Sequence, residues 1–311
     1  MNRQIIMTTS IIYVLTICSL TLAVAQAQNS RAATAASYLE RGNSWMAKSE
    51  WDRAITDYDL AIAFDARFAV AYYNRGLARR RKGDLEGTLS DFDRAIQLNP
   101  RYADAYLNRG AVCYGQGQFD AAISDFSRAI EINPRDTKAW ANRGLARFDQ
   151  GDTATAIADF DQAIKLDSRN VVAWSNRCGA RYSLGALDAA IADCNRALKL
   201  DVRQAHAWNN RGLARAAKGD LDGALADFDQ ALALEPRTAG YYSNRGRAWL
   251  LKGSPERALS DLNHALALNP KLADAWSYRG AVWFARQDFA RAIADFDEAL
   301  KLNPRLVDVY S

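Results

Sequence analysis

A single 34-residue pattern recurs along this chain and constrains its fold more than any other feature. The dipeptide Arg-Gly returns at a constant spacing, and the one copy that departs from it carries Cys178 after Arg177. The Arg-Gly steps begin at Arg41, Arg75, Arg109, Arg143, Arg211, Arg245 and Arg279. Eight copies therefore fill residues 35–306 without an insertion. A constant period of this length is typical of a solenoid of stacked supersecondary units.

Each copy has the pattern of two short amphipathic helices joined by a turn. An aromatic side chain lies four residues before the glycine, on the same helix face, and an alanine recurs on the second helix. We expect the glycine to let the two helices approach closely, with large rings packed beside it. The aromatic column is Tyr38, Tyr72, Tyr106, Trp140, Trp174, Trp208, Tyr242 and Trp276, and the alanine column is Ala61, Ala95, Ala129, Ala163, Ala197, Ala231, Ala265 and Ala299.

The turns carry residues that end and cap helices. Glycine followed by aspartate at Gly83, Gly151 and Gly219 predicts a left-handed helix end and then an N-cap. Ser254 and Pro255 predict the same cap in the seventh copy. The second helix is expected to stop at Pro100, Pro134, Pro236, Pro270 and Pro304.

These residues resemble the tetratricopeptide repeat, over 272 of 311 residues, and specifically an exported bacterial type with Asn-Arg-Gly repeats. The resemblance implies an all-α, right-handed superhelical solenoid of eight helix-turn-helix repeats. It also implies that first helices line a concave groove and second helices form the convex back. One departure is informative, because the family usually has leucine before the glycine and this chain has arginine in every copy.

An aspartate follows each of these arginines sixteen residues later. Because the arginine lies near the buried stripe, its guanidinium needs a carboxylate, and we predict an Arg–Asp pair such as Arg109 with Asp125. The alternative is that both columns are solvated. The aspartates are Asp57, Asp91, Asp125, Asp159, Asp193, Asp227, Asp261 and Asp295.

The residue two before the glycine belongs to the groove that the resemblance implies, and it is asparagine in six successive copies. An amide ladder can hold an extended peptide backbone without reading its sequence, although asparagines bonded only to their neighbours are the alternative. This ladder resembles that of the O-linked N-acetylglucosamine transferase superhelix. The predicted peptide-binding residues are Asn74, Asn108, Asn142, Asn176, Asn210 and Asn244, with the aromatic Tyr73, Tyr114, Phe148 and Tyr182. The carboxylate clamp of chaperone-binding family members needs lysine and arginine around the asparagine, and in the equivalent columns of this sequence only Lys138 is basic.

Residues 1–27 predict a secretory signal peptide, and residues 28–34 a polar lead-in. Arg3 precedes an apolar run, and small residues at Ala23, Ala25 and Ala27 suit cleavage. Export to a bacterial periplasm or the exterior is therefore expected. The alternative is an uncleaved anchor in the inner membrane, since the apolar region could nearly span a bilayer.

Cysteine usage fits an exported protein. Cys178 replaces the glycine of the fifth copy and Cys194 replaces its phenylalanine, in columns that face each other. We predict a disulfide between them, with two small buried thiols as the alternative. Cys113 is then left as a lone buried thiol.

The sequence indicates a non-catalytic scaffold that binds an extended peptide or partner segment in its groove. The two histidines, His206 and His264, lie in different repeats, and no phosphate-binding loop is present, so no enzyme, cofactor or metal is predicted. Charges of both signs are mixed, with a net charge of +4, which does not indicate nucleic-acid binding. Asp-Phe-Asp runs are expected to form a solvated convex face.

An alternative function is structural assembly through the last repeat. Residues 307–311 begin like a ninth repeat and then stop, which leaves the apolar flank of Ala292, Phe296 and Leu300 poorly covered. End-to-end self-association, or docking of this end onto a partner, would cover it.

Overall fold

The computed structural model describes residues 2–304, and it describes side chains for residues 21, 22 and 24–304. All regular structure in this part of the chain is α-helical, in sixteen helices that form consecutive helix-turn-helix pairs. The predicted fold class is therefore confirmed. The predicted start of a ninth repeat at 307–311 lies outside the described residues.

The chain divides into two compact units, Met1–Pro134 and Arg135–Ser311, here called the amino-terminal unit and the carboxy-terminal unit. The amino-terminal unit contains α1 (Asn2–Ala47), α2 (Trp51–Phe64), α3 (Ala69–Lys82), α4 (Leu85–Leu98), α5 (Ala103–Gly115) and α6 (Phe119–Ile132). The predicted lead-in at 28–34 is part of α1.

The carboxy-terminal unit contains five helix pairs. They are α7 (Thr137–Gln150) with α8 (Thr153–Leu166), α9 (Val171–Ser183) with α10 (Leu187–Leu200), α11 (Ala205–Ala217) with α12 (Leu221–Leu234), α13 (Ala239–Leu251) with α14 (Pro255–Leu268), and α15 (Ala273–Ala285) with α16 (Phe289–Leu302). In each pair the odd-numbered helix is the first helix of a repeat and the even-numbered helix is the second.

The repeated glycine brings the two helices of a pair together. A Cβ added at Gly144 would lie 2.7 Å from the ring of Phe160, and one at Gly76 would lie 2.8 Å from Phe92. The ring that fills the glycine gap therefore belongs to the second helix. The aromatic column of the first helix has a different role, described below, and the alanine column is buried throughout, as predicted.

The predicted turn chemistry is confirmed at the Gly-Asp pairs. Gly83, Gly151 and Gly219 have φ between 82° and 100°, a conformation that side chains with a Cβ rarely adopt. The aspartates that follow them accept a backbone N–H from the first turn of the next helix. Ser254 differs, because it occupies the N-cap position before Pro255 without a side-chain hydrogen bond. The predicted N-cap position of Ser254 and the first helical position of Pro255 are therefore confirmed.

The predicted Arg–Asp pair is present in all eight repeats. Each arginine donates from Nε at 2.7–3.0 Å and from Nη2 at 2.6–2.8 Å to the aspartate sixteen residues later. The aspartates are 1–7% exposed, so the solvated alternative is excluded. The two parallel bonds fix one helix of the pair against the other.

Each of these guanidinium groups also lies over the aromatic ring three residues before it. The distance from the guanidinium carbon to the ring centroid is 4.6–5.6 Å in all eight repeats. The aromatic column therefore covers the arginine rather than filling the glycine gap. Cation–π contact of this kind favours a planar guanidinium over an ammonium group.

Asp-Phe-Asp runs were expected to be a solvated face, and their second aspartates are indeed exposed, Asp93 to 51% and Asp161 to 48%. They also bind the next repeat: Asp161 accepts from Arg177 at 2.5 Å, as Asp59 of the Asp-Tyr-Asp run does from Arg75. Asn195 takes the same role for Arg211 at 2.6 Å. The remaining contacts of this kind are Arg109 with Asp93, Arg245 with Asp229 and Arg279 with Asn263. One arginine thus joins its own repeat to the preceding one.

Cys178 of α9 and Cys194 of α10 form a disulfide in the structure, with Cα atoms 5.5 Å apart. Both residues are fully buried, within an apolar cluster that includes Ala190 and Leu198. Cys113 is a buried free thiol.

Among the helices whose side chains are described, none combines the length and hydropathy that crossing a bilayer requires.

Candidate functional site

The first helices of the carboxy-terminal unit enclose a small apolar opening. It is a cavity of about 40 Å³ between α9, α11 and α13. Its lining residues are Tyr182, Leu213, Ala216, Ala217, Phe228, Asn244, Arg247, Ala248 and Leu251. We call this set the groove pocket. Two of the predicted binding residues, Tyr182 and Asn244, therefore meet at one place.

The lip of the groove pocket is apolar and cationic. Leu251 is 56% exposed, which is unusual for so large an apolar side chain that borders a cavity. Arg247 is exposed, and its guanidinium lies 5.4 Å from the ring centroid of Tyr278 on α15. Tyr278 is the residue that ends the asparagine series, so an aromatic ring replaces the amide there and supports the cation.

Two predicted asparagines of the carboxy-terminal unit, Asn210 and Asn244, bond to the preceding repeat. Asn244 donates to Oδ1 of Asn209 at 2.8 Å, and Asn210 donates to the carbonyl of Ser175 at 3.4 Å. The partner in each case lies 35 residues earlier. The amide N–H therefore connects neighbouring repeats, which leaves the amide oxygen of Asn244 as its remaining polar atom for a ligand.

Asn176 is the exception within this series. Its Nδ2 is buried and has no hydrogen-bond partner among the described residues, and neither has the hydroxyl of Ser175 beside it. The residue 35 positions earlier is Ala141, which offers no polar side chain. Unpaired buried polar atoms are costly, so the Asn176 amide and the Ser175 hydroxyl lower the stability of this repeat.

The two predicted asparagines of the amino-terminal unit are used within the fold. Asn74 donates to Oδ1 of Asn43 at 2.8 Å. Asn108 donates to the hydroxyl of Tyr73 at 3.0 Å and accepts from Arg80 at 3.2 Å. These amides follow the alternative in which asparagine bonds only to its neighbours.

Of the four predicted aromatic residues, three pack against other side chains of the fold and one, Tyr182, also lines the groove pocket. Tyr73 packs against Tyr102 with ring centroids 4.8 Å apart, and burial raises its pKa to about 12. Tyr114 lies 5.9 Å from Phe119 and is half-buried. Phe148 packs against the core of the fourth and fifth repeats. Tyr182 contacts the disulfide cluster on one side and lines the groove pocket on the other.

Sequence reasoning missed Arg247 and Leu251. Both lie on the same helix face as Asn244, at spacings of three and seven residues, so the helical period could have found them. Asn142, the remaining predicted ladder residue, is half-buried in α7 and does not line the groove pocket. No group of acidic, cysteine and histidine side chains suited to a metal ion occurs among the described residues.

Comparisons with known proteins agree with this architecture. Models described as tetratricopeptide repeat match residues 103–136, 205–237 and 273–306, and residues 141–205. A further model, described as TPR repeat, matches residues 76–117. Together these matches cover more than half of the chain. The chain belongs to the tetratricopeptide-repeat family, whose members generally act as non-catalytic scaffolds for protein–protein interaction.

Solved structures show the same fold at low sequence identity. The Cut9–Hcn1 assembly of the APC/C matches with a TM-score of 0.68 and 18% identity, over 86% of this chain and 53% of that one. This chain thus spans about half the length of that relative. A tetratricopeptide repeat protein from Parabacteroides merdae gives a TM-score of 0.63 and 19% identity, over 76% and 93%.

Pseudomonas aeruginosa pilF gives a TM-score of 0.60 and 16% identity, over 68% of this chain and 96% of that one. At these identities the likeness shows the fold alone. A comparison with curated protein sequences found no match.

Proposed function

We propose that this protein is a non-catalytic scaffold that holds an extended segment of a partner protein on the first helices of its carboxy-terminal unit. The observation that carries the proposal is the groove pocket, where an exposed leucine, a half-buried tyrosine and an amide surround an opening between three successive first helices. An opening of this size takes one small apolar side chain.

The chemistry of the lining favours a peptide over a small polar ligand. Tyr182 and Leu213 offer apolar contact area, and exposed apolar groups rimmed by polar ones mark interaction sites. The amide oxygen of Asn244 can accept a backbone N–H of the segment. Arg247 adds a positive charge at the lip, which favours a segment with a carboxylate near the inserted side chain.

Selection from a random peptide library displayed on phage, followed by titration of the chosen peptides, tests this function. Leu251→Ser and Arg247→Ala change exposed side chains at the lip, so both variants should stay folded. We expect each to weaken binding by about tenfold. Lys199→Ala alters an exposed cation of the second helix α10 and should leave binding unchanged. Equal affinity of all three variants would refute the groove site.

We also propose that the protein is exported, to a periplasm or the exterior, with cleavage near residue 27. The proposal is supported by the apolar leader and by the disulfide, because disulfides persist in oxidising compartments. Mass spectrometry of the amino terminus of the mature protein is the test. A terminus that begins at residue 1 would contradict cleavage and favour the membrane-anchored alternative.

A second function, self-association through the last helix pair, is favoured by one observation. Phe284, Phe289 and Ile293 are 60%, 53% and 61% exposed. The residues equivalent to Ile293 in the two preceding repeats, Leu225 and Leu259, are 5% and 8% exposed. Contact with a second copy of the chain would cover this face.

The apolar residues involved differ from the expected ones. Ala292 is buried, and Phe296 and Leu300 are half-buried. The exposed apolar residues of α16 are instead Phe289 and Ile293, nearer the start of the helix. Sedimentation equilibrium of the full chain and of an Ile293→Asp variant tests the contact. A concentration-dependent dimer that the variant loses supports it, and a monomer at high concentration refutes it.

A further inference from the structure

The amino-terminal unit contains a second cavity, far larger than the groove pocket. Its volume is about 340 Å³, within the range of sites that bind small groups, about 300–1,000 Å³. It is lined by Leu89 and Asp93 of α4, Arg109 and Cys113 of α5, and Ala121, Ser124 and Asp125 of α6. Neither the asparagine ladder nor the proposed peptide site uses any of these residues.

In four other repeats, an arginine occupies the position that Cys113 holds in the third repeat, four residues after the arginine of the Arg–Asp pair. These residues are Arg79, Arg147, Arg181 and Arg215, in repeats two, four, five and six. In each of these repeats its Nη1 donates to the buried aspartate at 2.7–2.9 Å. In the first repeat Trp45 donates its indole N–H to Asp57 at 3.0 Å.

The third repeat has Cys113 at this position. A thiol ends several ångströms short of where a guanidinium would lie, and the cavity occupies the remaining space. Two contacts of the missing group are still present in its walls. Asp125 corresponds to Asp91, which Arg79 binds, and Ala121 corresponds to Gly87, whose carbonyl lies 3.4 Å from Nη1 of Arg79.

The charge balance points to the same missing group. The cavity walls carry two carboxylates, Asp93 and Asp125, against the single guanidinium of Arg109. In the second repeat Arg75 and Arg79 together face Asp91 and Asp59. The third repeat therefore has one positive charge fewer than the second beside a carboxylate that is only 7% exposed, a balance that it shares with the seventh repeat, where Trp249 takes the position of Cys113.

We propose that this cavity, here called the arginine pocket, receives the guanidinium of an arginine residue on a partner protein. The incoming group would donate to Oδ2 of Asp125, as Arg79 does to Asp91 in the second repeat. Asp93, 51% exposed, stands at the mouth and attracts the cation. The apolar walls at Leu89 and Ala121 suit the methylene stem.

Arginine fits the pocket better than lysine for a geometric reason. The carboxylate of Asp125 already bonds Nε and Nη2 of Arg109 with two parallel contacts, at 2.8 and 2.6 Å. A second planar guanidinium can share Oδ2 in the same arrangement that four other repeats display. A compact, strongly hydrated ammonium loses more solvation on entry and makes fewer directed contacts. This proposal goes beyond the proposed peptide site, which lies in the other unit.

The pocket can be tested by nuclear magnetic resonance titration of the full-length chain. The probe is acetyl-Ala-Ala-Arg-Ala-Ala-amide, and the same peptide with citrulline or lysine in place of arginine is the matched control. We expect saturable shifts of the Ala121 and Ser124 amides with the arginine peptide, and affinity lower by about tenfold or more with either control. No saturable shift at these amides, or equal affinity for the three peptides, would overturn the proposal.

Two variants sharpen the test. Cys113→Arg supplies the missing group from within the chain, as repeats two, four, five and six do, and should abolish peptide binding while raising the melting temperature. Asp93→Asn removes one charge, and Asn195 and Asn263 show that asparagine is accepted at this position. We expect Asp93→Asn to stay folded and to bind the arginine peptide several-fold more weakly. Unchanged binding in a folded Asp93→Asn variant would contradict the charge argument.

A groove variant separates this site from the proposed function. Leu251→Ser should bind the arginine peptide as the unmodified chain does. Loss of binding in Leu251→Ser would place the peptide in the groove instead and would overturn the arginine pocket. Free L-arginine, tested in parallel, is expected to bind more weakly than the capped peptide, because Asp93 at the mouth repels its carboxylate and its two charged termini stay hydrated. Preference for the free amino acid would refute a protein partner as the source of the guanidinium.

Discussion

Removing the arginine that precedes the repeated glycine should have different costs in different repeats, because the buried aspartates differ in their number of cationic partners. In the seventh repeat Asp261 is bonded twice by Arg245, and no second cation lies within salt-bridge distance among the described residues. In the sixth repeat Asp227 is held by Arg211 and also by Nη1 of Arg215 at 2.9 Å.

The change Arg245→Leu therefore leaves a carboxylate that is 7% exposed without a positive charge. Breaking a buried pair in this way costs about 3–5 kcal/mol of unfolding free energy. The change Arg211→Leu removes the same number of contacts to its aspartate but leaves Arg215 in place. Its expected cost is about 1–2 kcal/mol, the value of lost hydrogen bonds without an orphaned charge.

Urea unfolding followed by circular dichroism measures both costs, and hydrogen exchange of the α13 and α14 amides shows whether the loss is local. In a double variant, Asp261→Asn in the Arg245→Leu background should recover more than half of the lost stability, since the uncompensated charge is gone. Equal costs for Arg245→Leu and Arg211→Leu, or no recovery in the double variant, would refute the reasoning.

Three further predictions concern packing, capping and the free thiol. Gly144→Ala should cost about 1–3 kcal/mol of stability, because the new Cβ would meet a ring of the facing helix, whereas Gly179→Ala meets only an amide group at 3.1 Å and should cost less in the same urea assay. Asp84→Ala should cost about 1 kcal/mol in thermal unfolding and Ser254→Ala almost nothing, since only the aspartate makes a capping bond. Burial, and then the charge of Asp125, raise the pKa of the Cys113 thiol. Its alkylation by iodoacetamide at pH 8 should therefore be slow in the native protein and should reach the rate of an exposed thiol after denaturation. Equally fast alkylation of the native protein would contradict its burial.

Contacts inside one repeat were accessible from the sequence. The Arg–Asp pair follows from two columns at a constant spacing, because a near-buried guanidinium requires a carboxylate on the facing helix. Arg109 with Asp125 is the pair that was predicted and is found. The helix ends at Gly83 and Gly151 follow from conformations that glycine adopts readily.

Contacts between repeats were less accessible, because their geometry depends on how one pair stacks on the next. The second aspartate of an Asp-Phe-Asp run is exposed, as expected, but the sequence did not show that it also binds the next repeat, as Asp93 does with Arg109. The pairing of Asn244 depends on Asn209, which lies 35 positions earlier, whereas the residue 35 positions before the unpaired Asn176 is Ala141, which has no polar side chain. The spacing was visible, but nothing in one repeat marks it as a contact.

The arginine pocket could have been predicted from the residue column that contains Cys113. Among the cysteines alone, Cys113 is a lone thiol. A comparison of its own column shows that arginine is the commonest residue there, and the substitution is then a deletion of a charged group beside a buried carboxylate. The energetic meaning of that deletion required the distances in the other repeats.

We propose that a partner segment lies on the first helices of the carboxy-terminal unit. Hydrogen–deuterium exchange of the full chain, with and without a peptide chosen by library selection, tests this location. We expect increased protection in α9, α11 and α13, centred on Tyr182, Asn244 and Leu251, with α10, α12 and α14 unchanged on their outer faces. Protection confined to the second helices, or to α15 and α16, would contradict the groove as the binding site.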